Sequence, residues 1–296
     1  MRGVLEASES VPALYRSPND ATRIREWCQQ RLDTWAVLHE AGHLETCLGD
    51  THLTWAGAPG EPVCLYLPGT NFNAAASTTL LTTLSTRCRV VCVDLPGQPG
   101  LSAPVRPDDE VADYERWMHE VLGHVRQQHP QVPLILAGHS RGAAAALLAN
   151  PSEIEGLVLA SPAGLAKVRL SLTMLLRSTA WLLRPTRARS RRLVDLMASG
   201  PIDADLEPVV DWLTLVAMCT RTTGAPGPLP SGVIDRWQGR QSRVLVGERD
   251  VFFPPALLAG PARRLGATLE VIPDAGHLLV DQRPDLVAAA ISELLA

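Results

Sequence analysis

The chain has 296 residues, 46% of them hydrophobic, and a formal net charge of −4. That is enough for one large domain with a buried core, and it gives no overall pull toward a polyanion such as nucleic acid. The six cysteines lack the spacing of a disulfide framework, and Met1 to Ser10 lacks the apolar run of a leader, so a cytoplasmic protein with reduced thiols is expected.

In chain order, Asn19 to Asp33 reads as a helix with Ile24, Trp27 and Leu32 on its apolar side. His43 to Trp55 alternates around Gly49-Asp50 and predicts a hairpin. Val63 to Leu67 and Val90 to Val93 are short apolar runs ending in Pro68-Gly69 and Asp94-Leu-Pro-Gly97, as buried strands do. Asp109 to Gln128 is a helix. Leu134 to Ala137 leads as a strand into Gly138-His-Ser140-Arg-Gly142 and an alanine-rich helix from Ala143 to Ala149. Leu157 to Ala160 is a further strand. The pattern then breaks from Leu165 to Gln241, which is helical, arginine-rich and punctuated by prolines. It resumes with strands at Val244 to Val246 and Thr268 to Ile272 and a last helix from Pro284 to Leu295. This alternation predicts an α/β protein with a mostly parallel sheet, helices on both faces and sites beyond the carboxyl ends of the strands. The predicted core is 1–164 and 242–296, with 1–42 as an N-terminal helical extension and 165–241 as an inserted helical cap. The longest apolar stretch, Leu165 to Leu183, carries Lys167, Arg169 and Arg177, so no transmembrane segment is expected.

Gly138-x-Ser140-x-Gly142 between a strand and a helix marks a nucleophile elbow. The turn is tight enough to require glycine on either side, and the helix N-terminus behind it favours developing negative charge. A serine hydroxyl needs a base, and the base needs an orienting acid. His277 is the only histidine downstream of Ser140 and follows the last strand. Asp250, just past a strand end and 27 residues before His277, is the predicted acid. Glu248 lies nearer the strand end and is expected to turn outward, and Asp274 is too close along the loop to reach around the imidazole. The oxyanion donors are expected to be the backbone N–H groups of Arg141 and of Thr70, with Asn71 as the alternative to Thr70.

Together Gly49-Asp-Thr-His52, Leu67-Pro-Gly69, Asp94-Leu-Pro-Gly-Gln-Pro-Gly100-Leu-Ser102, the elbow, Gly247-Glu-Arg-Asp250 and Ala275-Gly-His277 resemble a serine α/β-hydrolase, carboxylesterase-like with a helical cap. The resemblance runs from about Tyr15 to the C-terminus and implies the α/β-hydrolase fold, with Asp94 and Ser102 shaping a loop. Pro68 departs from the histidine usual before that glycine, and Ala143 from a second glycine after the elbow.

Two other signals compete. His39-Glu-Ala-Gly-His43 matches H-E-x-x-H, a zinc pattern that needs a helix and a third ligand. Its place between a helix and a hairpin favours a loop or the start of a strand. The segment Leu165 to Gln241 holds eleven basic and six acidic residues, with Arg184, Arg187, Arg189, Arg191 and Arg192 clustered. The plain reading is a solvated face; the functional one is attraction of an acidic or carrier-protein-bound substrate or a membrane surface. Leu170, Leu172, Met174, Leu175, Leu176, Trp181 and Leu182 are expected to be mostly core or pocket lining. The expected activity is hydrolysis of an ester, thioester or lactone of a small apolar acyl substrate through an acyl-enzyme, with no cofactor and no metal. Acyl transfer, C–C bond hydrolysis and perhydrolysis are the enzymatic alternatives, and a ligand receptor on the same fold is the non-enzymatic one.

Overall fold

The computed structural model describes residues 14–202, 204–222 and 224–295; the stretch Met1 to Ser10, read above for a leader, lies outside them. Helix α1 (Pro18–Asp33) starts where the Ser17 hydroxyl accepts the Asp20 N–H, with proline in its first turn. Strands β1 (His39–Thr46) and β2 (Gly49–Ala56) form an antiparallel hairpin. Its turn is Cys47-Leu48, so Gly49-Asp50 opens β2 instead of forming the turn, and β1 takes in residues assigned above to a helical extension.

The chain continues through β3 (Val63–Leu67), α2 (Thr78–Ser85), β4 (Arg89–Val93), α3 (Glu110–Gln128), β5 (Leu134–His139), α4 (Arg141–Leu147) and β6 (Gly156–Ala160). Three longer helices follow, α5 (Leu172–Leu183), α6 (Arg187–Ala198) and α7 (Glu207–Cys219), then the short α8 (Ser231–Asp235). The chain ends with β7 (Gln241–Gly247), α9 (Pro255–Leu265), β8 (Thr268–Ile272), α10 (Leu279–Gln282) and α11 (Pro284–Glu293).

The eight strands form one sheet in the order β1-β2-β4-β3-β5-β6-β7-β8. Only β1 and β2 run antiparallel to their neighbours; the others are parallel. The central strands are short and buried at every position because both faces are covered, and they are apolar throughout except for Arg89 at the start of β4. Side chains of α3, α4 and α9 fill one face, and those of α2, α10 and α11 the other. Pairing of Leu67 with Gly138 and of His139 with Ala160 aligns the carboxyl ends of β3, β5 and β6 along one edge.

A third apolar cluster lies outside these two layers. It unites α1 with α5, α6 and α7, and it takes in Phe72 and Leu278 from loops beyond the strand ends. Trp27 of α1 stacks on Trp212 of α7 with ring centroids 4.6 Å apart. The N-terminal helix therefore packs with the helical segment between β6 and β7.

One expectation fails here. Met174 and Trp181 of α5 are buried, but Leu170, Leu172, Leu175, Leu176 and Leu182 are exposed, contrary to the core or pocket role read from sequence. The reason is geometric. α5 meets α6 and α7 along one face only, and a helix apolar all round can bury no more than the face that is covered.

Candidate active site

Ser140 stands between β5 and α4 with φ 51° and ψ −113°. A side chain on L-residues rarely adopts this region, and here the surrounding backbone holds it there. A Cβ at Gly142 would lie 2.0 Å from the Leu67 carbonyl oxygen, and one at Gly138 would lie 2.6 Å from the Ala143 nitrogen. These two glycines let β5, β3 and α4 approach closely enough to form the turn. The helix begins at Arg141, two residues earlier than the sequence suggested.

The structure brings Ser140, His277 and Asp250 together. His277 Nε2 lies 3.1 Å from Ser140 Oγ, and His277 Nδ1 lies 2.9 Å from Asp250 Oδ2. All three are buried. Asp250 Oδ1 also accepts the N–H groups of Phe252 and Phe253, at 2.8 and 2.9 Å. Burial alone would raise the Asp250 carboxyl; the charge and hydrogen bond of His277 and these two amides outweigh it and hold the group down at about 2. It is thus an anion that only accepts, which directs the Nδ1 proton of His277 toward it and leaves Nε2 as an acceptor for the serine hydroxyl.

The rival acids face solvent. The side chain of Asp274 is 80% exposed and pairs with Arg249 at 2.7 Å. Glu248 is exposed beside the same guanidinium.

The loop after β3 passes over the elbow. Asn71 has φ 64°; its N–H donates to Gln98 Oε1 at 2.9 Å and its carbonyl accepts from Trp212 Nε1 at 2.6 Å. Asp94 accepts the Ala74 and Leu101 N–H groups at 2.8 and 3.1 Å, fastening this loop to the one after β4. Ser102 bridges the same region, donating to the Asp94 carbonyl and accepting the His52 N–H. The Arg141 side chain turns away into a bond with Glu110 at 2.9 Å and another with the Gly224 carbonyl at 2.6 Å.

Two supports of His277 were not read from sequence. His139 Nε2 donates to the His277 carbonyl at 2.9 Å, and burial together with the nearby His277 depresses His139 to about 3, so it stays a neutral donor. From the other side, the His277 N–H donates to the Met197 carbonyl at 2.7 Å, while Gln282 Nε2 donates to Ala198 O and Ser199 Oγ to Arg249 O, both at 2.9 Å. The C-terminal end of α6 therefore braces the loops carrying His277 and Asp250. Only the position of His139 inside the elbow motif could have drawn notice; a backbone carbonyl acceptor leaves no mark on sequence.

His39 and His43 do not form a zinc helix. Both lie in β1, where residues four apart are roughly 13 Å apart along the strand, too far to share one ion. His39 bonds the Val37 carbonyl, and His43 pairs with Asp50. Among the described residues no helix is long and apolar enough to cross a membrane.

In comparisons with known proteins, the carboxylesterase YbfK of Bacillus subtilis is 29% identical over 137 residues, which is 45% of this chain and 45% of that protein. The chain thus spans less than half the length of that relative in the sequence match. Among solved structures, a putative hydrolase from Bacillus subtilis superposes with a TM-score of 0.78 at 16% identity, over 95% of this chain and 100% of that one. The structure of YbfK itself superposes with a TM-score of 0.74 at 20% identity, over 94% of this chain and 99% of that one. At such identities the superpositions speak for the fold alone. Residues 57–290 match the alpha/beta hydrolase family from the hairpin's end to the last helix, and the chain belongs to that family.

Proposed function

We propose that this chain is a serine carboxylesterase that hydrolyses a small carboxylic ester through an acyl-enzyme. The observation that carries the reading is the chain of contacts Ser140 Oγ–His277 Nε2–Asp250, 3.1 and 2.9 Å long and made by three buried side chains. The sequence likeness to a protein named carboxylesterase supports the same chemistry.

In this mechanism Ser140 Oγ attacks the ester carbonyl carbon as His277 Nε2 takes its proton. Asp250 stabilises the imidazolium that results. The carbonyl oxygen becomes an oxyanion held by two backbone N–H groups. One belongs to Arg141, the first residue of α4, whose N–H is among those a helix leaves without an internal partner at its start. The other is assigned to Thr70, because the Asn71 N–H is taken by Gln98. Collapse expels the alcohol, which receives the proton from His277. Water then enters, loses its proton to His277, attacks the acyl carbon and releases the acid with Ser140 regenerated. The chain's own residues supply nucleophile, base, orienting acid and oxyanion donors for every step.

The segment 165–241 serves as the cap. Its helices share an apolar cluster with Phe72 and Leu278, which flank the oxyanion loop and the base. The basic cluster read from sequence is partly consumed there, since Glu207 neutralises Arg187 and Arg191, and Asp211 also pairs with Arg187. This favours a neutral small ester over a carrier-protein partner at that cluster. All six cysteines are free, which fits a reducing cytoplasmic setting.

Turnover of p-nitrophenyl esters and labelling by a fluorophosphonate test the reading. Ser140→Ala should lower kcat by about 10⁴-fold or more and abolish labelling. Folded wild-type protein that neither labels nor turns over any ester would overturn it.

A further inference from the structure

The eleven large apolar side chains that are exposed among the described residues are not evenly spread. Six of them, Leu170, Leu172, Leu175, Leu176, Leu182 and Leu183, fall within 170–183 and are 37% to 76% exposed. α5 is a well-formed helix. The Ser171 hydroxyl accepts the Met174 N–H at its start, and Trp181 Nε1 donates to the Leu213 carbonyl at 3.1 Å. Its inner face is thus occupied by Met174 and Trp181. Successive residues of an α-helix turn by about 100°, which gathers Leu172, Leu175, Leu176, Leu182 and Leu183 with Thr179 onto the outer face. An exposed apolar surface this continuous marks an interaction site more often than an ordinary surface.

The charges around it are one-sided. From Leu165 to Val194 there are eight basic residues and no acidic one, although the whole chain has net charge −4. Arg187 and Arg191 are engaged by carboxylates on α7. Lys167, Arg169 and Arg184 flank the two ends of the leucine face and are exposed, as is Arg192 at the neighbouring α6. Arg177 and Arg189 donate to backbone carbonyls, of Arg192 and of Ala180 and Arg184 respectively, and so keep their charge unneutralised by these bonds. A leucine face rimmed by arginines is the pattern of a helix that lies in the surface plane of an anionic bilayer, its apolar side at the acyl boundary and its cations among phosphates. A second copy of the chain docked face to face through the same helix would set the two basic rims against each other.

The helix also stands next to the catalytic loops. The Arg169 N–H, three residues before α5, donates to the Phe252 carbonyl at 2.8 Å, and the Phe252 ring packs against His277 with centroids 4.7 Å apart. We propose that α5, through its leucine face and flanking Lys167, Arg169, Arg184 and Arg192, is a docking surface for anionic lipid membranes. It would hold the site's cap side at the bilayer. This goes beyond the esterase reading and does not depend on it.

Flotation with vesicles tests it, using wild type and Ser140→Ala so that failure of the esterase chemistry leaves the binding readout intact. Both should float with vesicles of equal parts phosphatidylcholine and phosphatidylglycerol, weakly with phosphatidylcholine alone, and less as salt is raised. The triple variant Leu172→Ser/Leu176→Ser/Leu183→Ser and the variant Arg169→Gln/Arg184→Gln/Arg192→Gln should each lose binding by about tenfold or more. Far-ultraviolet circular dichroism and turnover of a short soluble ester should stay as in wild type, since these side chains point to solvent. Absence of flotation with anionic vesicles, or flotation unchanged in both variants, overturns the proposal. So does a dimer in sedimentation velocity that the leucine variant dissolves, because a second copy would then be the occupant.

Discussion

His139 Nε2 donates to the backbone carbonyl of His277 at 2.9 Å, joining the residue before Ser140 to the residue that faces it. The two rings lie 5.1 Å apart, and burial keeps His139 neutral at any assay pH above about 3. The bond therefore persists across the working range and acts on position, not charge. His139→Phe keeps an aromatic ring there but removes the donor. We expect kcat to fall by about 10- to 100-fold with KM little changed, as for a small displacement of a reacting group. The pH dependence of kcat/KM should keep its shape, because His139 does not titrate in that range. A variant indistinguishable from wild type in kcat would show that the loop holds His277 without this bond.

Asp250→Asn should retain the fold and lose the imidazole's orientation, since an amide can offer its N–H to Nδ1 and so favour the wrong tautomer. The expected cost is on the order of 10³–10⁴ in kcat. Glu248→Gln, at an exposed side chain beside Arg249, should cost less than about twofold in kcat, because surface ion pairs are weak. Steady-state kinetics on the two variants decide it, and equal losses would remove Asp250 from the proposed role.

Gly142→Ala tests the elbow as architecture. Its Cβ would sit 2.0 Å from the Leu67 carbonyl oxygen, a backbone atom that cannot rotate away. Stability should fall by about 3 kcal/mol or more, at the upper end of overpacking costs. Gly123→Ala in the middle of α3 meets nothing within 4 Å and should instead stabilise by roughly 0.5–1 kcal/mol. Urea unfolding of both proteins gives the comparison, and a tolerated Gly142→Ala would mean that the turn can open.

Asp281 of α10 is buried with its Oδ2 lacking a hydrogen-bond partner among the described residues, and burial pushes its carboxyl up to about 7 from an ordinary value of 3.8. In the unfolded chain the group ionises near 3.8; in the folded one it stays protonated until about 7. The unfolded state therefore binds fewer protons between those values, and stability drops as pH rises through that window before levelling off above it. Asp281→Asn removes this slope. It should be more stable than wild type at pH 8 by up to roughly 4 kcal/mol, at about 1.4 kcal/mol per pH unit of separation, and show no such gain at pH 3. Urea titrations at the two pH values measure the difference, and an equal gain at both would assign it to packing.

The features legible in the sequence were those set by local chemistry. Gly138-x-Ser140-x-Gly142 announced the elbow because a tight strand-to-helix turn needs glycine at fixed offsets. The short apolar runs announced a sheet covered on both faces. His277 was identifiable because no other histidine follows Ser140. Tertiary packing decided the rest. Leucines of α5 look like core in one dimension; they are exposed because α6 and α7 cover only the side bearing Met174 and Trp181. The His139 and Met197 contacts that hold His277 join a side chain to a carbonyl and an amide to a carbonyl, and every residue has that carbonyl. His39 and His43 match a helical zinc pattern letter for letter, yet pairing of β1 with β2 draws them into a strand that spreads them apart. Local turns and periodicity depend on neighbours along the chain. Exposure of a face, approach of a backbone acceptor and strand pairing depend on which distant segments arrive beside them, and a linear pattern does not carry that.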